Sequence, residues 1–326
     1  MMRKTLRGLV TTTLLAMTVS AACAAAPART ECIAPAKPGG GFDLTCKLIQ
    51  VSLQETGQIQ SPMRVTYMPG GVGAVAYNAI IAQRPAEAGT LVAFSGGSLL
   101  NLAQGKFGRY SESDVRWLAA VATDYGIVAV RQDAPWKNLG ELMTAMKNAP
   151  TKVVVGAGAS IGSQDWMKTA VLARKSGIDP RKMRYVAFEG GGEAVTALLG
   201  NHIQVVSGDM SEMVPHLQAG KLRVLAVMAD KRLPGELANV PTAKEQGYDM
   251  TWPIIRGYYL GPKVSDADYQ WWQDAFKKLV ATPEFQNQRE QRGLFEFNLF
   301  GSELDTYVKK QVADYREQAK FFGLAK

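Results

Sequence analysis

A chain of 326 residues with 47% hydrophobic and 20% charged residues is globular in composition and long enough for two domains of ordinary size. Its net charge of +8 is not gathered into basic runs interleaved with aromatics, which excludes a nucleic-acid-binding stripe. Three cysteines and two histidines, with His202 and His216 far from the cysteines, leave no metal-ligand cluster, so neither a metal nor a cofactor is expected.

The chain begins with a cationic head (Arg3, Lys4, Arg7), an apolar run over residues 8–19, and the small residues Ala22 and Ala24 around Cys23. This is the pattern of a secretory signal peptide, residues 1–24, cleaved after Ala24. The run is too short to span a bilayer. Cleavage removes three positive charges, leaving +5 of the +8 on an exported, soluble protein. Acylation at Cys23 is the weaker reading, because Ser20 stands where a lipoprotein carries a bulky aliphatic residue. In an oxidising compartment Cys32 and Cys46 read as a disulfide stapling the first strand to the first helix, with two buried thiols as the alternative.

From there one phrase recurs six times: an apolar strand, a glycine-rich turn, a helix. Residues 32–36 lead into Gly39-Gly40-Gly41, 65–68 into Gly70-Gly71-Val72-Gly73, and 91–94 into Gly96-Gly97-Ser98. Residues 153–155 lead into Gly156-Ala157-Gly158-Ala159-Ser160, 185–188 into Gly190-Gly191-Gly192, and 205–206 into Ser207-Gly208-Asp209. Such alternation predicts an α/β fold with largely parallel strands. Strands over 126–131 and 255–260 read as crossings between two lobes, and the C-terminal stretch reads as helical from Ala267, with a final helix over 303–322. Ligands of open α/β sheets sit beyond the carboxyl ends of the strands, where these turns lie. Bare N–H groups at the helix starts, with the positive end of each helix dipole, favour anions.

The candidate ligand-binding residues are therefore Gly39, Gly40, Gly41, Phe42, Asp43, Gly70, Gly71, Ser98, Ser160, Ser163, Gly190, Gly191, Ser207 and Asp209. The serines offer hydroxyls to a carboxylate without adding full charge. Asp43 reads more readily as a helix cap than as a ligand contact. Glu193 and Lys37 read as solvated, Glu189 as open between solvent and cleft, and Arg256 as a charge partner or an interlobe ion pair. The glycines at 156, 158 and 162 are mis-spaced for a dinucleotide fingerprint. No G-x-S-x-G elbow is present, and neither histidine is placed as a base, which argues against an exported hydrolase.

Six ordered motifs carry a family resemblance. They are residues 38–43 (PGGGFD), 68–74 (MPGGVGA), 158–163 (GASIGS), 190–200 (GGGEAVTALLG), 219–227 (AGKLRVLAV) and 240–247 (VPTAKEQG). Together they resemble the extracytoplasmic solute-binding proteins of tripartite tricarboxylate transporters, which include the Bug-type receptors. Residues 252–257 (WPIIRG) and the Cys32/Cys46 pair resemble the citrate-receptor branch. The resemblance implies a two-lobed Venus-flytrap fold, with lobe 1 formed by 25–127 plus 256–326 and lobe 2 by 128–255. It implies a periplasmic, monomeric receptor for a small organic acid, citrate first, handed to a large and a small integral membrane subunit. The turns implied to grip one carboxylate are residues 39–43 and 190–192. An aspartate that meets an amino group in some members is replaced here by Gly208, which tilts against amino acids. The alternatives are another organic anion, a dicarboxylate or an aromatic carboxylate, and delivery to a two-component sensor.

Overall fold

The computed structural model describes residues 26–324, so the expected signal peptide lies outside the described residues. The strands are β1 (Glu31–Ala34), β2 (Arg64–Tyr67), β3 (Thr90–Ser95), β4 (Arg116–Arg131), β5 (Val154–Ala157), β6 (Arg184–Ala187), β7 (Val205–Asp209), β8 (Leu222–Val227), β9 (Pro253–Leu260) and β10 (Leu299–Phe300). The α-helices are α1 (Gly41–Glu55), α2 (Ala74–Gln83), α3 (Gly96–Ala103), α4 (Leu139–Asn148), α5 (Gln164–Lys175), α6 (Gly191–Leu199), α7 (Met210–Gln218), α8 (Asp266–Val280), α9 (Pro283–Gln291) and α10 (Gly301–Phe321). Each of the six expected strands is found within two residues of its expected start.

In the first lobe β2, β1 and β3 run parallel, and β3 pairs antiparallel with β9, which pairs antiparallel with β4. In the second, β6, β5 and β7 run parallel, and β7 and β8 both pair antiparallel with β4. Strand β4 thus belongs to both sheets: residues 116–125 lie against β9, and 126–131 against β7 and β8. It is ten residues longer at its start than the crossing read from sequence. The second passage runs beside it, with Gly126 N–H donating to the Trp252 carbonyl at 3.0 Å and Trp252 N–H donating to the Met228 carbonyl at 2.7 Å. A methyl at position 126 would lie 2.4 Å from Lys168 Cδ, so the crossing requires glycine there.

The disulfide joins Cys32 of β1 to Cys46 of α1 across a Cα separation of 5.6 Å. Both cysteines are fully buried with Leu48, Ile49 and Leu53, which turn α1 onto the sheet. A second apolar cluster continues from Tyr77, Phe94 and Trp117 in the first lobe to Val128, Val155 and Met167 in the second. The end of α10 also reaches across: the Arg174 guanidinium lies over the rings of Phe321 and Phe322, and Trp166 meets Phe322 edge-on.

Candidate functional site

The glycine turns converge. A methyl at position 158 would lie 2.7 Å from the Gly191 nitrogen, and one at position 192 would lie 2.8 Å from the Pro38 carbonyl oxygen. The turns after β1, β5 and β6 therefore approach backbone to backbone, which side chains would prevent. Between them lie two adjoining cavities of about 40 Å³ and 180 Å³ that share Ala36, Phe42, Val72, Gly158 and Ala159. A larger cavity of about 740 Å³ lies elsewhere, between α7 and the chain after α9, walled by Val214, Leu217, Leu237 and Leu294 with Arg289. It gathers none of the glycine turns that start α1 and α6, so the converging turns define the candidate site.

Of the sequence-predicted residues, Gly40, Gly41, Phe42, Ser163, Gly190, Gly191 and Asp209 line the smaller cavity, and Gly70, Gly71 and Ser160 line the larger of the two, again with Phe42. Four are placed elsewhere. Asp43 is buried behind the first turn, where Oδ2 accepts from Gly39 N–H at 2.7 Å and from Lys47 at 2.8 Å, and Oδ1 accepts from Tyr67. It fixes the turn from outside the cleft rather than capping α1, whose N-cap is Gly40. Gly39, at φ +86°, supplies that N–H and lines neither cavity. Ser98 is turned back to the Ser95 N–H in the capping box of α3, and the Ser207 hydroxyl donates to the Asp165 carbonyl at 2.7 Å. Glu189 lines the larger of the two cleft cavities. Lys37 and Glu193 form an ion pair of 2.7 Å at the surface, rather than being separately solvated.

The floor of the cleft is an ion network. Arg256 of β9 is 2% exposed, and its Nη2 donates to Asp124 of β4 and to Asp209 at the end of β7, each at 2.7 Å. Lys168 of α5 is fully buried; its Nζ donates to Asp209 at 2.8 Å and to the Gly208 carbonyl at 2.6 Å, and lies 2.8 Å from Asp165. The Ser211 hydroxyl donates to Asp124 at 2.6 Å. Glu212 completes the group, accepting from Gly41 N–H at 2.8 Å.

These six ionisable side chains comprise four carboxyl groups and two cations. Burial opposes the charge on Asp209, but Lys168 and Arg256 on either side outweigh it and hold that carboxyl below the ordinary range. Burial pushes Asp124 and Asp165 up despite Arg256 and Lys168 beside them. Glu212, buried and facing Asp209 and Asp165, is pushed up to about 8. Sequence reasoning found Arg256 and Asp209 but not Asp124, Asp165, Lys168 or Glu212. A charged residue inside an apolar surround, such as Lys168 between Trp166-Met167 and Ala170, was the signal available.

The tripartite tricarboxylate transporter family receptor model matches residues 50–321. A protein of Cupriavidus necator described as "UPF0065 protein in gbd 5'region" is 27% identical over 203 residues, 62% of this chain and 60% of that one. The periplasmic binding protein BugD superposes with a TM-score of 0.80 at 21% identity, covering 91% of this chain and 98% of BugD. MatC of Rhodopseudomonas palustris, solved with bound malate, superposes at 0.77 with 20% identity, covering 89% and 99%. The two-lobed fold thus has its counterpart in periplasmic binding proteins, and the chain belongs to the tripartite tricarboxylate transporter receptor family.

Proposed function

We propose that this chain captures a small organic acid between its lobes in the periplasm and delivers it, as a monomer, to a large and a small integral membrane subunit. The lobes divide at residues 127/128 and 255/256. The observation that carries this reading is the meeting of the α1 and α6 starts across the cleft, with the Gly41 N–H donating to a carboxyl oxygen at that place. Binding and release require no covalent step, and no residue is assigned a catalytic role.

The charge inventory bears on which acid. Both buried cations of the floor are already matched by carboxylates, so the cleft offers helix starts and hydroxyls rather than spare positive charge. This favours a four-carbon dicarboxylate over citrate, the acid that the family resemblance ranks first. Malate, which MatC was solved with, suits the site further. The side-chain carbonyl of Gln164, on the wall of the smaller cavity and without a hydrogen-bond partner among the described residues, offers an acceptor to its hydroxyl.

Calorimetry on the mature chain, unfolded and refolded to strip co-purified ligand, tests this against malate, succinate, citrate and glutamate. Saturable binding near one per chain, malate or succinate ahead of citrate and glutamate silent, is expected. Citrate binding tightest would overturn the charge argument and restore the tricarboxylate order. Silence toward all of the acids would overturn the ligand class.

A further inference from the structure

The carboxyl of Glu212 sits where three helix starts meet. Its Oε1 accepts from the Gly41 N–H, which opens α1 and has no partner within that helix. Its Oε2 accepts from the Asp209 N–H at 3.3 Å, at the start of α7. On its other side stands the start of α6: a methyl at position 191 would lie 2.1 Å from Oε1, so the carboxyl rests directly on that backbone. Glu212 is itself carried by α7 and is 8% exposed. The group held between α1 and α6 is a carboxyl, as an organic-acid receptor requires, but it belongs to the chain.

We propose that Glu212 is a tethered stand-in for the ligand's carboxylate: it fills the seat between the α1 and α6 starts in the empty protein, and an incoming acid binds by displacing it. This rests on the reading of the cleft as an organic-acid receptor and adds the group with which the ligand competes. The contact runs from α7 in the second lobe to α1 in the first, so it also ties the two lobes together across the cleft.

The surroundings set how strongly the stand-in competes. Asp209 faces it from the end of β7, Asp165 and Lys168 from α5, Asp124 from β4 and Arg256 from β9. Asp43 on α1 is turned to Lys47, and Glu193 on α6 to Lys37. Burial, then Asp209 and Asp165, push the Glu212 carboxyl up to about 8. Below that pH a neutral carboxyl yields the seat to an ionised ligand. Above it, two like charges contend for the same N–H groups and ligand binding weakens.

Two measurements on the refolded mature chain test the proposal. In the ligand-free protein, the amide resonance of Gly41, followed by NMR from pH 6 to 10, is expected to move with a midpoint near 8 and to stay flat in Glu212→Gln. In calorimetry with malate, succinate and citrate, Glu212→Ala is expected to bind about tenfold tighter than wild type, or roughly 1.4 kcal/mol. Glu212→Gln, which keeps the side chain's size, should bind with an affinity constant across the pH range where wild type weakens. A flat Gly41 resonance in the wild type, or equal affinities of wild type and Glu212→Ala, would overturn the stand-in and leave the receptor reading intact. Silence of all three acids toward every variant would overturn both.

Discussion

Arg256→Met probes the floor of the cleft at its centre. The guanidinium bridges Asp124 and Asp209 at 2.7 Å each, and all three side chains are at most 6% exposed. At an effective dielectric constant of about 20, each contact represents roughly 6 kcal/mol of gross attraction. Desolvation of the three ions takes back most of that, and breaking a buried pair from one side typically costs about 3–5 kcal/mol, because the partners remain charged and buried. That is the loss expected for Arg256→Met in urea denaturation of the ligand-free protein at neutral pH, with an unchanged slope. Asp124→Asn should cost less, about 1–2 kcal/mol. Its partner Arg256 keeps Asp209, and the single side-chain oxygen of asparagine can still accept from the Tyr125 and Ser211 N–H groups. Combining the two substitutions should recover part of the Arg256→Met loss, since asparagine needs no counter-ion. A loss below about 1 kcal/mol for Arg256→Met, or a larger loss for Asp124→Asn than for Arg256→Met, would refute the network as described.

Three further outcomes follow from other parts of the structure. The Glu212 carboxyl is raised from 4.5 to about 8 on folding, so the stability it confers is complete below about pH 4.5 and is lost as pH rises towards 8. Glu212→Gln should accordingly gain on wild type through that window, by up to about 1.4 kcal/mol per pH unit, and a constant gap between their urea midpoints would contradict the assignment. Replacing Cys32 and Cys46 by serine should lower stability by about 3 kcal/mol, the cost of releasing a loop of this size; thiol titration of the oxidised mature wild type should find no free thiol. Gly158→Ala drives a methyl against the Gly191 backbone and should weaken malate binding at least tenfold (on the order of 1.4 kcal/mol) with the helical circular dichroism unchanged; unaltered affinity would show that these turns need not touch in the bound state.

The glycine turns were legible because their pattern is local: a short apolar run, a break that only glycine tolerates, and a helix start within a dozen residues. The same locality misled for Ser98 and Ser207. Their setting beside a turn matches that of Ser160, which lines the cleft, and only the packing of α3 and the contact with Asp165 tells them apart. On α1 the sequence spacing puts Leu44, Leu48 and Val51 on one face, but the buried face is rotated from it: Cys46, Ile49 and Leu53 are buried with Leu48, and Leu44 and Val51 are half-buried. The early part of β4 escaped notice because it is a run of alanines and valine buried on both faces, without the alternation that marks a half-exposed strand. The ion network was illegible as a pairing: Asp124 and Arg256 are 132 positions apart, and Lys168 and Asp209 are 41. Charge in an apolar setting announces that a partner exists, but the fold alone chooses it.

The continuity of β4 has a bearing on how this molecule can be taken apart. A sixteen-residue strand that ends one sheet and begins the next cannot be severed between the lobes without leaving both with an unsatisfied edge. Neither half is a transplantable fragment, and separate expression of either should give insoluble material. Heat or denaturant should dismantle the two together, in one cooperative step, despite the cleft that divides them.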